Sequence, residues 1–409
     1  MASKSLYRNL TFAAFVSVLI IGYATSVWAD DSAETEDDST AWNVQWKDNL
    51  RMDSPDGKWK LKAGGRFQYD YQRSNADGPL GDTIDDDVFG TRRARLFLSG
   101  TGYKRFIFKA EYDFQADNFA DLIVGVKSDW GTVRLGHHKD PFSLEEQISA
   151  NHLTFIERSL PIQALSPQRS TGISATGTHG ERVDWSVGYF YDTTSFGQSL
   201  DNKDRQAAAR VVYRPFFDDD KYRLVHVGFA VIQREHDSTV RFRARPEARF
   251  TGRPLDTGSF AADSTLITAL ELSLNHGQFQ LDSEYMRADV DTPSGSDPSI
   301  DGLYVSAGYF LTKDRRTYSG GKFRRVRPTR DLLGGDGTGA WQVAMRYSNL
   351  DLDKGSLQGG SQDNWTFALN WYPTHTTRLM LNWIDVDVKD SSPQAGNADL
   401  FLVRWQVEF

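Results

Sequence analysis

From Lys58 onward the chain alternates apolar and polar residues with a period of two. In the first such segment Trp59, Leu61, Ala63, Gly65, Phe67, Tyr69 and Tyr71 share one face, and Lys58, Lys60, Lys62, Arg66, Gln68, Asp70 and Gln72 share the other. Successive side chains of a strand point to opposite faces, so this pattern describes a strand with one face suited to lipid or core and one suited to water. The alternation returns with Phe106, Phe108, Ala110, Tyr112 and Phe114, with Val183 to Tyr191, with Trp341 to Tyr347 and with Trp365 to Trp371. Segments of this kind predict sixteen strands, near 58–73, 89–101, 104–115, 119–128, 131–138, 169–178, 182–193, 204–215, 222–235, 264–275, 277–290, 300–312, 338–350, 362–373, 376–388 and 399–409. Long polar links such as 74–88, 139–168, 236–263 and 389–398 tend to alternate with tight ones such as Gly102-Tyr103. One link breaks the rule. The stretch 313–337 is long where parity predicts a short turn, so it is either an enlarged turn or the mark of a miscounted strand.

An even number of strands of about ten residues, with long links at one end and short ones at the other, predicts an all-β fold: a sixteen-stranded antiparallel transmembrane β-barrel. The carboxyl end agrees, because Phe401, Val403, Trp405, Val407 and Phe409 alternate to the last residue. A strand ending this way suits closure against the first strand, which leaves no free edge. The link 139–168 holds Pro141, Phe142, Leu144, Leu153, Phe155, Ile156 and Leu160, too apolar for a loop in water. It is expected to fold into the barrel and narrow it.

Composition narrows the setting. Residues 1–29 carry Lys4 and Arg8, then an apolar stretch, then Ala29 before Asp30-Asp31, the form of a cleaved secretory signal peptide. Residues 30–57 read as a flexible acidic periplasmic lead-in, and 58–409 as the pore domain. Mean hydropathy is negative, yet aromatics reach 13% with eleven tryptophans. A barrel in lipid combines these, since each strand is polar on its lumen face and aromatic girdles mark both interfaces. There is no cysteine, so no thiol or disulfide chemistry is available. The formal net charge of −8 argues against nucleic acid as a partner.

Several segments resemble the phosphate-selective porin O and P family: Lys62-Ala63-Gly64-Gly65-Arg66-Phe67-Gln68-Tyr69-Asp70-Tyr71, Arg92-Arg93-Ala94-Arg95-Leu96-Phe97-Leu98-Ser99-Gly100, Lys109-Ala110-Glu111-Tyr112-Asp113-Phe114, Arg134-Leu135-Gly136, Asp140-Pro141-Phe142-Ser143-Leu144-Glu145-Glu146 and Phe155-Ile156-Glu157-Arg158. The resemblance implies a homotrimeric porin of the bacterial outer membrane, without cofactor, metal or catalysis, whose constriction is formed partly by an inward-folded loop. It also implies lumen arginines that conduct small anions, with phosphate or polyphosphate as candidate solutes. The trimer comes from the resemblance alone.

Alternation aims Arg66 at the lumen beside Lys58, Lys60 and Lys62. Arg92 and Arg93 match paired arginines that the family places near its constriction. Parity by itself favours Arg93, because Ala94, Leu96 and Leu98 share the face of Arg92; aiming both inward requires a local bulge. Arg241, Arg243 and Arg245, spaced by two before Pro246, resemble a loop ladder of arginines, against the alternative of a solvated loop face. Guanidinium stays charged and offers carboxylate or phosphate a planar fork. The sequence also departs from the family: Ile107 and Glu146 stand where phosphate-selective members place constriction lysines, and Ala120 stands at an acidic position. Phosphate selectivity is therefore not carried over with the fold, and a general, weakly selective diffusion porin remains an open reading. A barrel enzyme and a non-conducting adhesin are the rivals of another class. His137, His138, Asp140 and His152 read as strand-end and loop residues, with no nucleophile in a recognisable motif beside them.

Overall fold

A computed structural model describes residues 41–409, apart from 85–86, 194, 202, 219–221, 335–336, 356, 390–391 and 393. The signal peptide expected over 1–29 and the first part of the expected lead-in lie outside the described residues.

Sixteen antiparallel strands close into a barrel: β1 Trp59–Ala76, β2 Asp87–Gly102, β3 Phe106–Asp113, β4 Asn118–Ser128, β5 Gly131–His138, β6 Ser170–His179, β7 Val183–Tyr191, β8 Arg205–Asp218, β9 Arg223–Glu235, β10 Ser264–His276, β11 Phe279–Asp291, β12 Ser299–Phe310, β13 Ala340–Asp351, β14 Ser361–Tyr372, β15 Thr377–Val388 and β16 Gly396–Glu408. Each pairs with its sequence neighbour, and β16 closes on β1 with register from Ala398↔Ala76 to Glu408↔Arg66. Closure satisfies every strand edge, the condition for lying in hydrocarbon. Among the described residues no helix is long and apolar enough to cross a membrane; the crossing is made by strands.

The barrel is inside-out relative to a soluble protein. On β14, Gln362, Asn364 and Thr366 are fully buried toward the interior, while Trp365 and Phe367 on the opposite face are more than 40% exposed. Tryptophans stack on the outer surface, as in Trp341 with Trp371, ring centroids 5.4 Å apart, where amphipathic rings suit the headgroup level.

Three connections fill much of the interior. The first, 139–169, carries helices α1 Leu144–Gln147 and α2 Leu160–Leu165, with Phe142, Leu144, Leu153, Phe155, Ile156 and Leu160 all buried, as its apolar content predicts. The second, 236–263, enters from the same end as two short ribbons, Thr239–Val240 with Phe260–Ala261 and Arg243–Ala244 with Leu255–Asp256. It packs Phe242, Ala244 and Leu255 in one apolar cluster with Leu160 and Ile162. The third, 311–339, resolves the parity anomaly: the strand count is right and the turn is enlarged. Its ribbon, Arg316–Ser319 with Lys322–Val326, folds in from the opposite end, and Tyr318 and Phe323 pack with Leu144, Ile148 and Leu153.

Two details differ from the alternation pattern. The lead-in expected to be flexible through 57 contains a β-hairpin, Asn43–Lys47 with Asn49–Asp53, turning at Asp48 with φ 64°. Its second strand pairs with β1 from Leu50↔Ala63 to Asp53↔Lys60, taking over the edge of β1 where β16 ends. At that junction Gly65 and Phe409 exchange backbone hydrogen bonds of 2.6 and 3.0 Å. A Cβ on Gly64 would lie 2.2 Å from the Phe409 carbonyl oxygen, so the chain end can approach only because that residue is glycine. The second detail is a bulge in β2: Gln68 faces Arg93 and Tyr69 faces Thr91, leaving Arg92 as the extra residue. A bulge re-aims one side chain, and here it turns Arg92 inward beside Arg93.

Candidate functional site

One cavity of about 1320 Å³ runs from the arginines of loop 236–263 to the β4–β5 turn at Asp129 and Trp130 at the other end. Its wall comes from β1–β8 and the three inward connections; no residue of β9–β16 lines it. The passage is thus eccentric. Lumen side chains of the other half, such as Ser273, Gln280, Asn370 and Asn382, are buried under the inward chain. The described lining holds seventeen Lys and Arg against seven Asp and Glu, opposite in sign to the chain as a whole.

These charges are arranged in three tiers. At the outer mouth Arg243, Arg245, Arg249 and Arg253 all come from loop 236–263. Arg245 donates from Nε to the Thr251 carbonyl at 3.0 Å. Burial, then the neighbouring guanidinium groups of Arg253, Arg249 and Arg92, push it down to about 10. None of the four makes an ion pair among the described residues. Arg241 belongs elsewhere: it does not line the cavity, and Asp256 grips it through both oxygens, with Nε at 2.7 Å. Of the expected loop ladder, Arg243 and Arg245 reach the lumen and Arg241 does not.

The waist is built of fixed pairs. Arg92 donates from Nε and Nη2 to the two oxygens of Glu157 at 2.6 and 3.0 Å, and Arg404 shares that carboxylate at 2.8 Å. Against the upward pull of burial, Arg92 and then Arg404 hold the Glu157 carboxyl well below the ordinary range. Arg66 meets Glu111 at 2.9 Å; Arg95 meets Glu111 at 3.1 Å and Asp113 at 2.6 Å; Lys109 meets Glu111 at 2.8 Å and also Asp121. Arg93 is nearly buried and donates to Gln68 Oε1 at 2.8 Å. Arg66, Arg92 and Arg93 therefore all line the cavity, but the first two arrive already matched to carboxylates.

Below the waist Arg210 is held by Glu271, but two other cations have no carboxylate partner among the described residues. Arg134 donates to Thr176 Oγ1 at 2.9 Å and to no carboxylate, and Lys322 of the inserted ribbon makes neither a hydrogen bond nor an ion pair among the described residues. Burial, then Arg324, Arg210 and Arg134, push Lys322 down to about 7.

The departures at 107, 120 and 146 also find places. Glu146 is buried at the start of α1 and paired with Lys139 at 3.0 Å and Arg158 at 2.9 Å, so its charge is cancelled. Ala120 is the extra residue of a bulge between Glu111↔Asp121 and Tyr112↔Phe119. Ile107 faces the lumen two residues before Lys109. His138 meets Ser174 of the neighbouring strand at 2.9 Å, and His152 of the inward loop lies 3.7 Å from Glu408. Among the described residues no group of three or more side chains could hold a metal ion.

The model of the family Phosphate-selective porin O and P matches residues 61–409. The chain belongs to that family. Porin O of Pseudomonas aeruginosa is 23% identical over 418 aligned residues, covering 90% of this chain and 92% of its own. A Caulobacter vibrioides protein of uncharacterised function is 28% identical, covering 90% and 77%. Among solved structures, the anion-selective porin from Comamonas acidovorans has a TM-score of 0.55 at 15% identity, covering 86% of this chain and all of its own. OmpT, an outer membrane protein of Vibrio cholerae, has a TM-score of 0.57 at 12% identity, covering 86% and 98%. The protein is an outer-membrane channel of this family, a porin of the bacterial outer membrane.

Family membership and alternation lead to Arg66, Arg92 and Arg93. They do not lead to Arg249 and Arg253, which follow Pro246 without the two-residue spacing, nor to Lys322, hidden in a turn that reads as merely basic. Arg134 was within reach, since it lies two residues before Gly136 on a short strand whose parity aims it inward.

Proposed function

We propose that the channel passes small anions by diffusion, with a preference set by unpaired cations at its two mouths and weakened by the ion pairs of its waist. The observation that carries this reading is the group of four mouth arginines with no carboxylate partner among the described residues, above a lumen rich in Lys and Arg. Rings of fixed charge select the sign of the permeating ion when binding is loose enough to release it. Arg66, Arg92 and Arg93 supply the waist, and Arg243 and Arg245 the approach; Arg241 supports the loop through Asp256. Phosphate enters as one anion among others. The neutralised waist favours, as a second reading, a general channel of weak selectivity. We also infer a homotrimer, supported by family membership and by OmpT of Vibrio cholerae, solved in a trimer form.

Reversal potential across a salt gradient in planar bilayers tests the reading. Anion preference that falls when Arg243, Arg249 and Arg253 become alanine supports it. Cation preference in the unaltered protein overturns it, and an unselective current leaves the general channel.

A further inference from the structure

Just below the waist the lumen wall changes character. On β3 and β4, Lys109 stands opposite Ile123 and Ile107 stands opposite Gly125. On β5, Gly136 is opposite Ile123 and Arg134 is opposite Gly125. These directly paired residues share a face, and Lys109, Ile123 and Arg134 line the cavity, so Ile107 faces the lumen with them. A Cβ on Gly125 would lie 3.1 Å from Ile107 Cγ1 and 2.3 Å from the Val133 carbonyl oxygen. The isoleucine thus lies across the bare glycine, and no side chain can stand there in its place. The result is a shallow apolar bay of two half-buried isoleucines and two glycines in a wall rich in charge.

The cations around this bay are not equivalent. Lys109 is consumed by Glu111 and Asp121. Arg134 spends one nitrogen on Thr176 and keeps the rest of its fork. Lys322, on the inserted ribbon, lines the same cavity as Arg134. A compact, multiply charged oxyanion needs donors on several sides, more than these two cations supply by themselves. A carboxylate needs one fork, and an apolar body attached to it gains by leaving water against the isoleucines.

We propose that this stretch is an amphipathic subsite for an organic anion, a carboxylate carrying an aromatic or aliphatic body. Arg134 and Lys322 hold its charged group, and Ile107 and Ile123 receive its body. The inference rests on the anion-channel reading and sharpens it, naming a solute class in which inorganic phosphate is the poorer fit.

The test uses the full-length protein in planar bilayers carrying chloride current, with benzoate, acetate and inorganic phosphate added in turn. Half-block by benzoate is expected at a concentration about tenfold below that for acetate, from burial of one ring, and below that for phosphate. Ile107→Asn with Ile123→Asn is expected to remove the benzoate advantage while reversal potential in chloride stays where it was. Equal block by benzoate and acetate, or stronger block by phosphate, overturns the subsite without touching the anion reading. A benzoate advantage that survives the double substitution overturns the assignment to these residues. The comparison of benzoate with acetate needs no variant, so it decides even if the altered barrel fails to fold. Cation preference of the unaltered channel removes the parent reading instead, a distinct result.

Discussion

The outer mouth and the waist hold the same kind of residue in opposite electrostatic states. Arg243, Arg249 and Arg253 have no carboxylate partner among the described residues, whereas Arg66, Arg92 and Arg95 are each held by Glu111, Glu157 or Asp113 within 2.6 to 3.1 Å. A count of cations does not separate the two tiers; pairing does. An arginine matched by a carboxylate presents a passing ion with a dipole whose field falls off quickly, while an unmatched one presents a full charge screened by solvent and salt. On the proposed reading, the mouth gathers anions and the waist lets them pass.

The sharpest way to break this contrast is to unpair the waist. Glu111 is buried and faces three cations, Arg66, Arg95 and Lys109. Glu111→Gln keeps the shape and removes the charge that holds them together. Breaking a buried pair on one side typically costs about 3–5 kcal/mol, so unfolding in denaturant shifts clearly toward lower concentration. In the folded fraction, anion preference by reversal potential rises, because the waist now behaves like the mouth. Unchanged selectivity would show that the waist pairs do not set it.

Removing the mouth charges is the converse. Arg243→Ala with Arg249→Ala and Arg253→Ala leaves no buried partner behind, so stability stays nearly constant. Anion preference drops by about two- to threefold near 0.1 M salt, where screening reaches about 10 Å, and hardly at all near 1 M, where it reaches about 3 Å. A loss independent of salt would place the selective charges deeper.

The barrel wall was legible because period two is a direct consequence of strand geometry: Gln362, Asn364 and Thr366 point in, Trp365 and Phe367 out, and no distant contact alters that. The inward fold of 139–169 was legible from its apolar content. Partnership was not. Arg241 and Arg243 are two residues apart and alike in sequence, but only Arg241 meets Asp256, through the return of a loop fifteen residues later. Arg92 has the parity of outward residues until one bulge turns it, and a bulge leaves no mark in an alternation count. The hairpin 43–53 does carry the strand period, Val44 with Trp46 and Leu50 with Met52 on either side of Lys47-Asp48-Asn49, but two five-residue strands behind an acidic, Ser/Thr-rich stretch give too short an alternation to stand out from a flexible segment.

The inner rim sharpens the comparison through pH. Lys322, lowered to about 7 by burial and then by Arg324, Arg210 and Arg134, with Asp121 acting against them, is charged below that pH and neutral above it. Arg245 at the mouth, lowered only to about 10, stays charged across neutrality by contrast. Anion preference is thus expected to be higher at pH 6 than at pH 8, by less than the mouth substitutions produce, and Lys322→Met should flatten the step. A step that persists in the variant would assign it to another group.

The smallest effect concerns the root of the inward loop that forms the waist. Asp140 is fully buried; Ser170 donates to its Oδ2 at 3.1 Å, Gln206 donates to the same oxygen, and Oδ1 has no partner among the described residues. Burial pushes its carboxyl up to about 7 from the usual 3.8, with Arg234 opposing and Asp192 and Glu146 adding to the rise. The sign follows from linkage. Below the ordinary value both folded and unfolded chains hold the proton and there is no penalty. Between 3.8 and about 7 the unfolded chain alone releases it, so stability falls as pH rises, and above about 7 the penalty is constant. Asp140→Asn can turn its oxygen to Gln206 and Ser170 and place its amide where Oδ1 now stands unpaired, which removes the buried charge. Backbone amides of 139–143 should then exchange more slowly than in the unaltered protein at pH 8, with the difference vanishing near pH 4 once each rate is corrected for intrinsic exchange. A difference of equal size at both pH values would mean that packing, not the carboxyl proton, governs how firmly the loop is rooted.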